Sequence, residues 1–183
     1  MPEHSASIVT VSYDAPEYNA VEVVQGNYKL VDGPGEYEIQ NVFISATAVY
    51  PAGAKGEEAN KQRNLIFVYE IDDITVCQPG AITQMPTQSQ IEVLGNVDIL
   101  LVPVGGGPTL NASKASELIG LIQPSIVIPI YYALPNQANG LDPVDKFLKE
   151  MGQSQIEPKD RLRIAHSNLP LETQIVVLAS QAI

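Results

Sequence analysis

The sequence predicts a mixed α/β fold, with sheets packed together and helices on the outside, and two features of the chain indicate it. In the first half, β-rich runs are separated by turn signals typical of antiparallel hairpins, at residues 32–35, 40–41 and 72–73. In the second half, the apolar runs "VDILLVPV" and "SIVIPIYY" alternate with segments of helical periodicity. With 183 residues, 45% of them hydrophobic, we expect a single domain spanning residues 1–183.

The individual elements follow from local patterns. "SIVTVS" predicts a strand, and "PEYNAVEVV" predicts a helix with Pro16 at its first position. Antiparallel strands are predicted within residues 27–50, an exposed loop at 51–64 and a hairpin at 65–80. Helical or irregular structure is predicted near 89–96 and helices at 109–124 and 142–152, the last with an aspartate cap; two strands are predicted within 160–179.

The charge and cysteine content exclude several classes of protein. The net charge is −11 and the 10 Lys and Arg residues are scattered, so we expect no nucleic-acid partner. The apolar runs are far shorter than the roughly 20 residues of a membrane span. A single cysteine, Cys77, allows no internal disulfide and no thiolate cluster, and we expect a cytoplasmic protein.

Few residues suggest catalysis by themselves. His4 and His166 belong to no cluster, and no Ser-His-Asp or Cys-His arrangement is indicated. Cys77 at the end of a buried strand is typical of a small hydrophobic residue. The glycine-rich residues 104–109 lack the lysine of a P-loop, so they predict a tight strand-to-helix turn.

Four segments of the chain resemble the metallo-β-lactamase-fold hydrolases, in particular the compact branch related to ascorbate-phosphate lactonases. They are "IVTVSYDAPEYNAVEVV", "LVDGPGEYEIQNVFISA", "VDILLVPVGGGPTLNASKASELIGLIQPSIVIPIYY" and "LDPVDKFLKEMG". The resemblance implies a four-layer αβ/βα sandwich. It also implies that about two N-terminal strands found in the family are missing here, since the chain enters the fold just before the strand that leads to the metal loop.

By this resemblance, the residue types that bind metal in the family are replaced. The family's first metal motif, His-x-His-x-Asp-His, falls on Tyr13, Ala15, Glu17 and Tyr18. The remaining ligand positions fall near Tyr50-Pro51, on Ala81 and on Tyr131. Zinc requires imidazole, carboxylate or thiolate ligands, and a protonated phenol is a poor one, so only Glu17 is competent. We therefore expect no bound metal and no cofactor.

The tyrosines at these positions allow two interpretations. The four residues are Tyr13, Tyr18, Tyr131 and Tyr132. In the first interpretation, they pack together and fill an inactive cleft. In the second, they form an aromatic pocket for a small molecule. In the second interpretation, Asp14 and Glu17 serve as polar handles.

Three functions follow, in order of preference. The first is a catalytically inactive subunit that acts in interaction or assembly, as a homodimer or in a hetero-assembly with a related chain, through residues 6–12 or their sheet neighbours. The second is a small-molecule-binding module that uses the tyrosine-lined cleft. The third is a metal-dependent hydrolase with an altered site built on Glu17.

Overall fold

Eleven strands are present in the computed structural model, which describes residues 4–16, 18–51, 53–135 and 140–180. They are β1 (His4–Ser5), β2 (Ile8–Thr10), β3 (Val24–Gln25), β4 (Lys29–Val31), β5 (Gly35–Ile39), β6 (Val42–Val49), β7 (Asn64–Ile71), β8 (Ile74–Gln78), β9 (Ile99–Pro103), β10 (Ile126–Ile130) and β11 (Gln174–Ile175). Seven of them form a central sheet in the order β11-β10-β9-β8-β7-β6-β5. The sheet is antiparallel from β5 to β8 and parallel from β8 to β11, so the mixed α/β prediction is confirmed.

Two of the three predicted turns, at 40–41 and 72–73, form hairpins of the sheet. Gln40 and Asn41 connect β5 to β6 with φ angles of 53° and 62°, and Asp72 and Asp73 connect β7 to β8 with φ angles of 49° and 62°. Two successive left-handed residues are what a type I′ turn requires, and Asn and Asp tolerate that conformation. The turn chemistry therefore fixes the register of both hairpins.

The N-terminal strands form two short parallel pairs, β1 with β3 and β2 with β4. Ile8 and Val31 from the second pair pack against Ile44 and Phe67 of the central sheet. The Thr10 hydroxyl lies 2.7 Å from the Tyr69 hydroxyl, which connects β2 to β7 by a hydrogen bond. The β2–β4 pair therefore covers one face of the central sheet at its β5–β7 end.

The helices are α1 (Gly56–Lys61), α2 (Gln88–Leu94), α3 (Ala112–Ile122) and α4 (Val144–Glu150). The last three cover the opposite face of the sheet. Leu118 of α3 and Phe147 of α4 pack with Cys77, Leu100 and Val127 of the sheet in the largest apolar core. Thr87 caps α2 in a reciprocal capping box with Gln90, and the Asn111 side chain caps α3. Within the described ranges, no helix has the length and apolar character needed to cross a membrane.

Five local predictions are wrong in whole or in part. Residues 32–35 form no hairpin, because β4 pairs in parallel with β2 and not with β5. The segment predicted as an exposed loop at 51–64 contains α1 and ends at Asn64, which is buried at the start of β7.

The described residues 16 and 18–24 form no α-helix. A turn at Ala15 is followed only by a 3₁₀ turn at Val21–Val23, where β-branched residues disfavour an α-helix. Only one short strand, β11, forms within 160–179. The N-cap of α4 is Pro143, since the Asp142 carboxylate pairs with Lys146 at 2.8 Å instead of capping the helix.

Candidate functional site

Loops that follow five strands meet at one end of the molecule. β6, β8, β9 and β10 run in the same direction, so their carboxyl ends lie at the same sheet edge. The loop after β2 reaches this edge too, since Tyr13 forms an antiparallel bridge with Asn64. Such an edge is the usual place for a binding site in an α/β protein, because side chains from several loops converge there.

Three tyrosines from two of these loops form a connected series. The rings of Tyr13 and Tyr18 are 5.8 Å apart between centroids and nearly perpendicular, at 84°. Those of Tyr18 and Tyr131 are 6.2 Å apart, with hydroxyl oxygens 3.2 Å apart. Tyr131 has a left-handed backbone, with φ of 52°, directly after β10. The structure therefore brings together residues that sequence reasoning assigned to one cleft.

A cavity of about 370 Å³ lies beside these rings. Its wall combines tyrosine rings, apolar side chains and uncharged polar groups. The lining residues are Tyr13, Tyr18, Val49, Tyr50, Pro51, Gln62, Asn64, Ala81, Ile82, Thr83, Gln84 and Pro108. None of these described residues carries a charge, so the cavity has the character of a neutral, partly aromatic pocket.

Asn64 lies at the floor of the cleft, and no sequence pattern pointed to it as a site residue. Its side chain is 6% exposed, and its Nδ2 donates to the Pro79 carbonyl at 2.8 Å, which connects β7 to the loop after β8. Its Oδ1 is buried without a hydrogen-bond partner. Gly80, at φ of 69°, permits this approach, since a Cβ there would lie 2.6 Å from the Asn64 Oδ1.

Other predicted cleft residues lie elsewhere. The Asp14 carboxylate accepts from the Asn19 amide at 2.7 Å and lines a separate polar cavity of about 180 Å³ with Arg63. Tyr132 packs against the largest apolar core, and this burial raises its pKa. Ala15 contributes its carbonyl to the turn, accepting from the backbone of Tyr18 at 2.8 Å. The predicted handle Glu17 lies outside the described residues.

The described residues around the cavity do not fit Zn²⁺ or Fe²⁺. The positions that correspond by resemblance to metal ligands carry only phenols and a methyl group. They are Tyr13, Tyr18, Ala81 and Tyr131. Across the described ranges, no group of three or more His, Cys, Asp or Glu residues comes together. Neutral amides such as that of Asn64 do not replace imidazole or carboxylate ligands for these ions.

The histidine and thiol groups also lie apart from the cavity. His166 starts an exposed 3₁₀ turn, His166–Asn168. Cys77 is fully buried in the apolar core, and burial raises the pKa of its thiol to about 12. Neither residue therefore supplies a nucleophile or a ligand to the cleft.

The architecture and the converging loops define a member of the metallo-β-lactamase fold class. The sequence model of the β-lactamase superfamily domain matches residues 1–131. The chain therefore belongs to the β-lactamase superfamily, as its resemblance predicted.

Known proteins agree with this assignment. A structure from Thermotoga maritima, a candidate Zn-dependent hydrolase of the metallo-β-lactamase superfamily, is 31% identical with a TM-score of 0.79, covering 97% of this chain and 84% of that one. A UPF0173 metal-dependent hydrolase from Pyrococcus horikoshii is 25% identical over 122 residues, 66% of this chain and 51% of its own length. One from Salinibacter ruber is 24% identical over 156 residues, 82% of this chain and 67% of its own. The chain thus spans about half the length of the Pyrococcus relative, and both of these UPF0173 relatives are named as metal-dependent hydrolases.

Proposed function

We propose that this protein is a superfamily member without metal-dependent hydrolase activity, which binds a small molecule in the tyrosine-lined cavity. The observation that carries the proposal is the position of the cavity. Tyr13, Tyr18 and Ala81 line it, and by resemblance these are metal-ligand positions of the family. The pocket therefore lies where the relatives are expected to carry out their chemistry.

The volume of the cavity favours binding over a plugged cleft. If the tyrosines only filled space left by metal ions, their rings would leave no room for a molecule. A cavity of about 370 Å³ instead falls within the size range of small-molecule sites, roughly 300–1,000 Å³. The rings supply apolar contact area, and Gln62, Thr83 and Gln84 supply polar groups that orient a ligand.

Metal analysis tests the proposal that the protein lacks metal-dependent hydrolase activity. We expect the protein, expressed in medium supplemented with Zn²⁺, Mn²⁺ and Fe²⁺ and then dialysed, to retain far less than one metal ion per chain. Glu17→Gln is the matched variant, because Glu17 is the one ligand-competent residue at the positions taken from the resemblance. About one metal per chain in the wild type, lost in Glu17→Gln, would establish the altered hydrolase site instead.

Ligand screening tests the binding part. We expect amide signals of cavity residues such as Ala81 and Thr83 to shift in ¹H–¹⁵N NMR spectra on addition of small-molecule mixtures. Ala81→Leu should suppress the shifts, since its larger side chain enters the cavity. Unchanged cavity signals across a chemically diverse library would contradict binding.

Assembly through the N-terminal strands is the second candidate function, and one observation favours it. Among the described residues, β2 is paired in its sheet only with β4. Leu30, opposite Val9 in that pair, is 43% exposed. An open strand edge beside an exposed apolar side chain favours association with a second copy.

Sedimentation velocity measures this association. We expect Leu30→Glu to reduce the mass of a wild-type dimer to that of a monomer. Leu171→Glu is the control, since Leu171 is fully exposed and lies far along the chain from the N-terminal strands. A monomeric wild type at micromolar concentration would remove this candidate.

A further inference from the structure

We propose that the ligand of the tyrosine-lined cavity carries a quaternary ammonium group. This inference rests on the proposed small-molecule site and names the chemical class that the site accepts. It depends on three observations. Aromatic rings border the cavity, its described lining residues carry no charge, and the whole chain has a negative net charge.

The closeness of two tyrosine rings favours a cationic ligand. A cation is attracted to the face of an aromatic ring when it lies within about 6 Å of the ring centroid. The centroids of Tyr13 and Tyr18 are 5.8 Å apart and their planes are nearly perpendicular. Both residues line the cavity, so a cation bound beside this pair lies close to two aromatic side chains.

A third ring widens the aromatic wall. Tyr50 follows β6 and lines the same cavity, while its side chain is 44% exposed at the rim. Rings from two different loops thus border one space. Clusters of aromatic residues recognise choline-like groups in other proteins.

The electrostatics favour a cation over an anion. No Lys, Arg or His lines the cavity among the described residues, so nothing there would pair with a carboxylate or phosphate. The chain carries a net charge of −11, which raises the local concentration of cations and repels anions.

The polar groups of the wall further restrict the type of cation. A primary ammonium has three hydrogen-bond donors and loses strong hydration on burial, so it normally requires a carboxylate partner. The described lining contains no carboxylate. A quaternary ammonium donates no hydrogen bonds and is weakly hydrated, so contact with ring faces and methyl groups is sufficient to bind it.

A pair of isosteric probes tests the inference. Choline and 3,3-dimethyl-1-butanol have nearly the same shape, and only choline is charged. We expect a ¹H–¹⁵N NMR titration of the full chain to give choline a dissociation constant at least about tenfold lower than that of the neutral alcohol, with shifts at Ala81 and Thr83.

A pair of variants assigns the effect to a ring. Tyr50→Leu removes an aromatic face and keeps an apolar side chain, so choline affinity should fall about three- to tenfold while the affinity for the neutral alcohol stays within twofold. Tyr50→Phe retains the face and should bind choline like the wild type. Because Tyr50 is half exposed, both variants are expected to fold.

Each remaining outcome separates the inference from the proposed function. Equal affinity for the two probes, or binding of neutral library molecules without choline, would overturn the quaternary ammonium assignment and leave the small-molecule site in place. If neither the two probes nor the library shifted the cavity signals, the quaternary ammonium assignment and the proposed small-molecule site would both be overturned.

Discussion

The Tyr18 and Tyr131 hydroxyl oxygens lie 3.2 Å apart, although the residues are 113 positions apart in the chain. This contact joins the loop after β2 to the loop after β10. By resemblance, both residues correspond to metal-ligand positions, where an ion would connect the same loops. In this chain, a hydrogen bond between two phenols connects these loops.

A double-mutant cycle measures this connection. We expect Tyr18→Phe and Tyr131→Phe to couple by no more than about 1 kcal/mol in the free energy of unfolding, since the hydroxyls are exposed and water competes for them. Urea denaturation of the four proteins gives the coupling, which isolates this pair from other contacts of either hydroxyl. A coupling of several kcal/mol would mean that the bond is a main support of the loops.

Asn64 should contribute more than the tyrosine pair, because its hydrogen bond is buried. Asn64→Ala leaves the Pro79 carbonyl without its 2.8 Å donor and removes side-chain volume from the floor of the cleft. We expect a loss of about 1–3 kcal/mol in the free energy of unfolding. Asn96→Ala, at an exposed loop residue, should change it by less than about 0.5 kcal/mol, and equal effects of the two would contradict this role of Asn64.

The fold was largely predictable because its strongest signals are local. Paired left-handed residues at Asn41 and Asp73 require Asn- and Asp-rich turns, and the apolar strands β9 and β10 are buried on both sides. The prediction of a helix at 16–24 was wrong because proline is common both at helix starts, as assumed for Pro16, and in turns. Val21 and Val23 also disfavour the continuation of a helix.

The site was predictable only in part. The cluster of Tyr13, Tyr18 and Tyr131 followed from the resemblance, since no local pattern brings residues 113 positions apart together. Asn64 was missed because its role depends on the Pro79 carbonyl and on the close approach of Gly80, which are tertiary features. Asp14 was expected in the tyrosine cleft, but its bond to Asn19 turns it toward the separate polar cavity.

The buried thiol of Cys77 should give the stability of the protein a distinct pH dependence. Burial raises its pKa from 9.0 to about 12, so the folded chain retains a proton that the unfolded chain loses between these values. The stabilisation is complete below pH 9 and is lost as the pH rises toward 12. We expect the free energy of unfolding to fall more steeply above pH 9 in the wild type than in Cys77→Ala, by at most about 1.4 kcal/mol per pH unit.

Thiol labelling provides the control for this prediction. Native protein at pH 8 should react with a disulfide reagent only at the rate of unfolding, and urea-unfolded protein should react at once, because a buried neutral thiol is a poor nucleophile. Equal pH slopes in the two proteins, or rapid labelling of the native state, would show that Cys77 ionises in the folded chain.

Gly105 and Gly120 give the sharpest contrast between two identical substitutions. A Cβ at Gly105 would overlap the Tyr131 carbonyl oxygen and lie 2.9 Å from the Tyr132 Cα, where the loop after β9 meets the loop after β10. A Cβ at Gly120, inside α3, would have no neighbouring atom within 4 Å.

We expect Gly105→Ala to destabilise the protein by about 3 kcal/mol or more, since neither backbone can move without breaking the 3.0 Å hydrogen bond from the Gly105 amide to the Tyr131 carbonyl. Gly120→Ala should stabilise it by about 0.5–1 kcal/mol through higher helix propensity. Urea denaturation measures both, and a Gly105→Ala variant as stable as Gly120→Ala would refute the close approach of the loops after β9 and β10.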